Sequence, residues 1–198
     1  MRRLAAGGLA ASVLGIGVFP GLARGPSSTG QTRAPDVYFA PTPHAVADEM
    51  LRLAGVTADD VVYDLGSGDG RIVIMAAQRY GARGVGVEID PRLVAIARQV
   101  AGEAGVAGRV TFMEGDLFEA DISAATVVTL YLTRSVNMEL EPKLRTELRP
   151  GTRIVSHQFP IGRWTPDRTI RVEGVDLFLW AVPEEIGSDP VSHPISAK

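Results

Sequence analysis

The residues best placed to do chemistry are Asp64, Gly66, Gly68, Asp69 and Gly70, within the run Val61 to Ala77, VVYDLGSGDGRIVIMAA. The glycines are spaced by single residues after an apolar stretch, Val61 to Leu65, and the segment beyond them has helical rather than alternating apolar spacing. That pattern predicts a strand, a tight turn and a helix. Glycines in such a turn admit positive φ and let a ligand approach the main chain, while the amides at the helix start face whatever is bound. A dinucleotide-binding turn has the form G-x-G-x-x-G, but here Arg71 stands at the position of its third glycine. Asp64 and Asp69 put two carboxylates where a pyrophosphate would be repelled and a cation welcomed. S-Adenosylmethionine, which carries a sulfonium and an ammonium, meets that demand. The plainer alternative is a glycine turn that joins a strand to a helix and binds nothing.

Acids at two later strand ends weigh against the plainer alternative. Gly84 to Glu88 (GVGVE) reads as a short strand ending in acid, followed by Pro91 and a helix over Arg92 to Glu103. Glu88 lies 24 positions beyond Asp64, near the ~20-residue offset at which an acid after the second strand accepts from a ribose. Asp90, just ahead of Pro91, suits the helix cap instead. Arg109 to Met113 alternates as a third strand and leads into Glu114-Gly115-Asp116. Open α/β sheets bind ligands at the carboxyl ends of their strands, so Asp116 could accept from an adenine amino group, with Leu117 against the ring.

The elements that must hold these residues follow from the alternation of strand and helix, which predicts a parallel sheet with right-handed crossovers. A helix over His44 to Leu53 precedes the glycine turn, with Thr42 or Pro43 at its start. Ala125 to Leu132 (ATVVTLYL) is the most β-rich run and reads as a central fourth strand buried on both faces, with Tyr131 at its end. A helix over Ser135 to Leu148 follows, cut near Pro142, then strand five at Thr152 to Ser156 with His157 at its tip. Thr169 to Glu173 and Asp176 to Val182, separated by Gly174-Val175, read as an antiparallel hairpin at the sheet's edge. The expected fold is therefore α/β, a Rossmann-like doubly wound sheet of seven strands, mostly parallel, with a C-terminal antiparallel hairpin.

Composition narrows the field. The chain of 198 residues, 45% hydrophobic and with a formal net charge of −3, suits one core-forming domain and gives no reason to expect nucleic acid as a partner. It has no cysteine, which excludes disulfides, zinc-thiolate sites and a cysteine nucleophile. Its three histidines, His44, His157 and His193, lack metal-ligand spacing, and no metal is expected.

Residues 1–25 read as a signal peptide or short membrane anchor: a basic Met1-Arg2-Arg3, an apolar Leu4 to Phe19, and small residues at Gly21-Leu22-Ala23. The apolar run is shorter than the ~20 residues that span a bilayer comfortably. Residues 26–36 follow as a flexible linker, 37–183 as the folded domain and 184–198 as a disordered tail. Export would remove the domain from the cytoplasm, where S-adenosylmethionine is made. Three arrangements answer this: an exported protein with another donor supply, an anchored protein facing the cytoplasm against the charge bias, or a true start downstream.

The motifs DLGSGDG, GVEIDP and EGDLFEAD, in this order, resemble the three donor-binding motifs of the seven-β-strand S-adenosylmethionine-dependent methyltransferases. Within that superfamily YFAPTPHAV, ATVVTLYLTRSVN and ELRPGTRIVSHQF are similar to the small protein-lysine methyltransferases, among them the enzymes acting on the adenine nucleotide translocase and the ATP synthase c-subunit and the archaeal broad-specificity enzyme. The resemblance implies that Asp64 with Gly66, Ser67, Gly68 and Gly70 holds the methionine end of the donor, Glu88 the ribose and Asp116 with Leu117 the adenine. It implies an acceptor side built from Tyr38 to Thr42, Tyr131 to Thr133 and Ser156-His157, in which Tyr38 and Tyr131 line the pocket and His157 either relays a proton or makes a structural hydrogen bond. The implied acceptor is a protein lysine; a small molecule is the alternative within enzymes, and a non-catalytic exported binding protein the alternative outside them. Arg134 and Gln158 stand where a proline and an acid are more typical of the lysine group.

Overall fold

The computed structural model describes residues 40–184. The segments read as signal, as linker and, beyond Glu184, as tail lie outside the described residues, as does Tyr38. The described order is α1 (His44–Leu53), β1 (Val61–Leu65), α2 (Arg71–Tyr80), β2 (Arg83–Glu88), α3 (Pro91–Glu103), β3 (Val110–Glu114), β4 (Val127–Leu130), α4 (Arg134–Glu147), β5 (Arg153–His157), β6 (Arg168–Val172) and β7 (Val175–Ala181). They build a seven-stranded sheet in the order β3-β2-β1-β4-β5-β7-β6. β1 through β5 run parallel, and β7 is antiparallel to both β5 and β6. The doubly wound, mostly parallel sheet with an antiparallel C-terminal pair is the fold expected from the sequence.

The central strands β1 and β4 are apolar apart from Asp64 and Thr129, because both their faces are covered. On β1, Val62 packs into one buried cluster with Val46, Met50, Ile72 and Val73 from α1 and α2, while Tyr63 and Leu65 pack into the other with Leu140 and Leu144 from α4. The alternation repeats on β4, where Val127 faces the first cluster and Val128 and Leu130 the second. Asp64 and Thr129 lie directly opposite each other in the parallel β1–β4 register, on the α1–α2 face by that period of two. The sheet grows outward from β1 to β3 and then returns to β1's other side with β4. A crevice opens outside the strand ends at such a reversal.

Four local expectations need correction. Thr42 does not cap α1: Pro43 is the cap residue and makes no side-chain cap bond, and the Thr42 hydroxyl lies instead beside the His157 ring. β4 is shorter than Ala125 to Leu132, because Thr126 turns its hydroxyl to Asp60 (2.7 Å) and Tyr131 and Leu132 leave the sheet for the crevice. α4 runs unbroken through Pro142. The proline is exposed, so water can solvate the carbonyl that loses its amide, while Leu140 and Leu144 anchor both halves of the helix in one cluster. The hairpin turns at Glu173-Gly174, not Gly174-Val175: both have positive φ, 48° and 84°, which matches the twist of two-residue hairpins.

Candidate active site

The ends of β1, β2 and β4 and the glycine turn enclose a cavity of about 710 Å³. Asp64, Gly66, Ser67, Gly68, Glu88, Asp116, Leu117 and Tyr131 all line it, together with Thr42. Two sequence-predicted residues, Gly70 and His157, do not. Gly70 caps α2 at φ 77°, and a Cβ there would collide with the Phe112 ring and come within 3.1 Å of the Ala97 Cβ. Its side chain is excluded by packing, not by a ligand. Gly66, at φ 81°, is required on both counts, since it lines the cavity and a Cβ would meet Leu132 Cδ2 at 2.8 Å.

The turn is fastened to β2. The amides of Gly66 and Ser67 both donate to the Val87 carbonyl, at 2.9 and 3.0 Å. Glu88, buried at the tip of β2, accepts from Gly68 N through Oε2 and from Asp90 N through Oε1, each at 2.9 Å. The acid expected at a ribose therefore also shapes the glycine turn. Asp90 caps α3 as expected, accepting from Arg92 N at 2.9 Å. Asp116 accepts from Phe118 N at 2.9 Å, an Asx turn that holds its carboxylate at the cavity wall beside Leu117.

Asp64 is 3% exposed and accepts from Thr129 Oγ1 at 2.7 Å. Burial pushes its pKa up to about 7; Thr129 opposes the shift, and the neighbouring charges of Glu88 and Asp69 reinforce it. The other turn carboxylate behaves differently. Burial disfavours the charge on Asp69, yet Arg71 donates to it from the main chain, Nε and a terminal nitrogen, and these bonds hold the carboxyl below its ordinary value. The expectation of two uncompensated carboxylates thus reduces to one, Asp64. Arg71 also donates to the Thr42 carbonyl at 2.9 Å, linking the turn to the segment ahead of α1.

His157, expected on the acceptor side, is 2% exposed at the end of β5. Its ring stacks on Tyr131 with centroids 3.9 Å apart and planes 26° from parallel. Its Nδ1 lies 3.4 Å from Thr42 Oγ1, and its Nε2 is buried without a hydrogen-bond partner. Burial lowers its pKa to about 4, so the imidazole is neutral at pH 7 and a weak proton acceptor. The backbone then doubles back: Phe159 N donates to His157 O at 2.9 Å across Gln158, whose φ is 70°. That is a γ-turn with the strained sign of φ. Gln158 N to Asp176 O (2.7 Å), Asn137 Nδ2 to Phe159 O (3.0 Å) and Ser156 Oγ to Phe159 O (2.6 Å) hold it.

Sequence reasoning missed Thr129, Arg71 and the two-sided hold on Thr42. Thr129 carried a usable signal as the one polar residue within the buried Val127 to Leu130 strand, and Arg71 carried one as the cation two residues from Asp69.

The cavity's chemistry fits the methyl donor. It offers a glycine-lined approach, two acids at strand ends and, among the described residues, a buried acid with no basic side chain bonded to it and a buried Ser67 hydroxyl without a partner. Among the described residues no group of three or more His, Cys, Asp or Glu could hold a metal ion. A family model described as the ANTKMT methyltransferase domain matches residues 64–168, more than half of the chain. The chain belongs to this methyltransferase family. A protein-lysine N-methyltransferase of Saccharolobus islandicus (strain REY15A) is 49% identical over 155 residues, 76% of this chain and 96% of that relative. The mouse lysine N-methyltransferase of the ATP synthase c-subunit is 38% identical over 143 residues, 72% of this chain and 56% of its own length. A crystal structure of an RNA methyltransferase from Salinibacter ruber in complex with S-adenosyl-L-homocysteine is 63% identical with a TM-score of 0.74, covering 76% of this chain and 98% of that one. The donor of this methyltransferase is S-adenosylmethionine.

Proposed function

We propose that the enzyme transfers the methyl group of S-adenosylmethionine to the side-chain amine of a lysine in a protein. The observation that carries this reading is the 49% identity, across 96% of its length, to a protein-lysine N-methyltransferase. Charge supports it. The strand ends around the cavity contribute Asp64, Glu88 and Asp116, and the chain's net charge is −3. Those acids go to the donor, so it is the acidic balance of the whole chain that favours a cationic acceptor over an RNA, whose recognition relies on Lys and Arg.

In this reading Asp64 and the Gly66 to Gly68 main chain hold the methionine end, with Gly70 shaping the turn from behind. Glu88 takes the ribose hydroxyls, and Asp116 and Leu117 the adenine. Methyl transfer from sulfonium to amine is an in-line displacement, so alignment and exclusion of water do most of the work. The acceptor must be a neutral amine. With a lysine pKa of ~10.4, deprotonation at pH 7 costs about 4.6 kcal/mol, which an apolar pocket and the nearby sulfonium both reduce. Tyr131 lines the cavity and Tyr38 is assigned to the same acceptor role, while His157 serves as a neutral support beneath Tyr131 rather than as a proton relay. The domain is assigned to 37–183, with residues 1–25 a signal peptide or a short membrane anchor; no described helix is itself long and apolar enough to cross a membrane.

The test is to incubate the purified chain with methyl-labelled donor and a cell extract, then hydrolyse the labelled fraction. Methylated lysine in protein is the expected product. Label confined to nuclease-sensitive material or to small molecules refutes the acceptor, and absence of calorimetric heat with the donor refutes the enzyme. Fractionation of cells producing the full chain, with sequencing of the mature N-terminus, separates a cleaved signal from an anchor.

A further inference from the structure

We propose that Thr129 is a positioning residue that orients the Asp64 carboxylate for the donor's ammonium, and that the donor, on binding, displaces a proton from Asp64 to solvent. The inference deepens the donor reading above and rests on it.

The geometry is explicit. Asp64 and Thr129 are Cα partners on adjacent parallel strands. Both are buried, Thr129 completely, so neither side chain is held by bulk water. Thr129 Oγ1 has one proton to give and two nearby oxygens: Asp64 Oδ1 at 2.7 Å and the Tyr63 carbonyl at 3.4 Å. The shorter contact takes it, and the hydroxyl thereby fixes one carboxylate oxygen against β4. The charged groups that face Asp64 are Glu88 from β2 and Asp69 from the glycine turn. Glu88 has both oxygens on main-chain amides, and Asp69 is paired with Arg71. No basic side chain is bonded to Asp64 among the described residues. A buried carboxyl flanked by two carboxylates and lacking a cation keeps a proton to higher pH than an ordinary aspartate, consistent with its burial-driven rise. The donor's ammonium is the missing cation. As it arrives, the Asp64 O–H proton passes to buffer and the carboxylate pairs with the ammonium; no bond to carbon forms or breaks.

This makes donor affinity pH-dependent in a defined sense. Below pH 7 the proton must be removed first, so affinity weakens about tenfold for each unit of acidification. Above ~8, the α-amino range, the donor's own amine loses its charge and must regain it to bind, so proton release gives way to proton uptake.

The experiment is calorimetric titration of the full chain with S-adenosylmethionine at pH 6, 7 and 8.5, each in two buffers of different ionisation enthalpy. The expected result is release of nearly one proton at pH 6, about half at pH 7, and uptake at pH 8.5. Thr129→Val should weaken binding at pH 7 by about tenfold or more, the scale of a lost hydrogen bond to a charged group, and move the release to higher pH. Thr129→Ser, which keeps the hydroxyl, should restore both, and Asp64→Asn should abolish release. Heats independent of buffer at pH 6 and 7 overturn the proton exchange while leaving the donor reading intact. Thr129→Val with unchanged affinity and pH profile overturns the positioning role. If Thr129→Val does not fold, Thr129→Ala takes its place for the positioning role, and the comparison of the parent chain with Asp64→Asn decides the proton release. Absence of heat at every pH overturns the donor reading and this inference together.

Discussion

Replacing Glu88 by alanine should damage the enzyme twice, and the two losses can be measured separately. The carboxylate accepts from the buried Gly68 amide and from the Asp90 amide, each at 2.9 Å. Alanine leaves Gly68 N–H without a partner in a buried position, at a cost of ~1–3 kcal/mol, whereas the more open Asp90 N–H can turn to water and loses about 0.5–1.5 kcal/mol. The fold should therefore lose roughly 2–4 kcal/mol before any donor is added. The second loss falls on binding. Hydrogen bonds from ribose hydroxyls to a charged acceptor are worth about 1.5–3 kcal/mol, a factor of roughly 10 to 150 in Kd. Urea denaturation of the donor-free protein reads the first loss, and calorimetry well below the melting transition reads the second. If the variant is folded and binds donor with unchanged Kd, the two amides consume the carboxylate and another group holds the ribose. If binding weakens but donor-free stability does not change, the bonds to the turn carry no weight and the account of the turn is wrong.

Other perturbations test the remaining parts of the site. Gly70→Ala should cost ~2–5 kcal/mol in urea denaturation, combining a left-handed backbone with overpacking against Phe112, while Gly55→Ala, with similar φ and open space around it, should cost only ~1–2 kcal/mol; equal losses would remove the packing explanation. Tyr131→Ala should leave donor Kd unchanged and reduce kcat/KM by on the order of a hundredfold, because it unseats the wall of the acceptor pocket; a parallel loss of donor affinity would assign Tyr131 to the donor instead. His157 has a folded pKa of about 4, below its ordinary 6.5, so the unfolded chain binds the extra proton in that window and the histidine's contribution to stability, complete above pH 6.5, is lost as pH falls towards 4. Asp64, raised to about 7, acts in the opposite sense: its contribution is complete below its ordinary 3.8 and lost as pH rises through 7. His157→Phe, which keeps a ring against Tyr131, should therefore gain stability relative to the parent as pH falls from 6.5 to 4, by at most about 1.4 kcal/mol per unit; a difference independent of pH would mean that His157 is not held neutral.

Much of this was legible because it is local. The bounds of α1 and β1 match their expected ranges, since apolar period and flanking Pro, Gly and Asp residues act within a few positions. Asp64, Glu88 and Asp116 were legible for a related reason: in a parallel sheet every strand ends on the same side, so acids after successive strands converge. The missed parts depend on distant partners. Nothing near His157 announces Thr42, 115 positions away, or the stack on Tyr131. Gly70 misleads because a ligand and an aromatic ring exclude a Cβ equally well, and the ring belongs to Phe112 on another strand. Arg71 shows in the sequence only as a missing glycine, although Asp69 is two residues away and the two pair in the fold. A long cationic side chain beside a carboxylate in a turn has few other places to go.

The open ends of the sheet carry a consequence for behaviour at high concentration. Among the described residues β6 and β3 are its outer strands, and an outer strand offers its free main-chain donors and acceptors to other molecules, although on β3 Arg98 takes the Phe112 carbonyl at 2.8 Å. β6 is guarded by exposed Arg168 and Arg171, the latter paired with Asp176 at 3.0 Å. β3 exposes Thr111 and Met113, and its acid, Glu114, stands at its very end. The exposed side chains of β3 carry less charge than those of β6, so Met113→Lys should lower self-association of the concentrated enzyme, read by light scattering, more than a lysine added to β6.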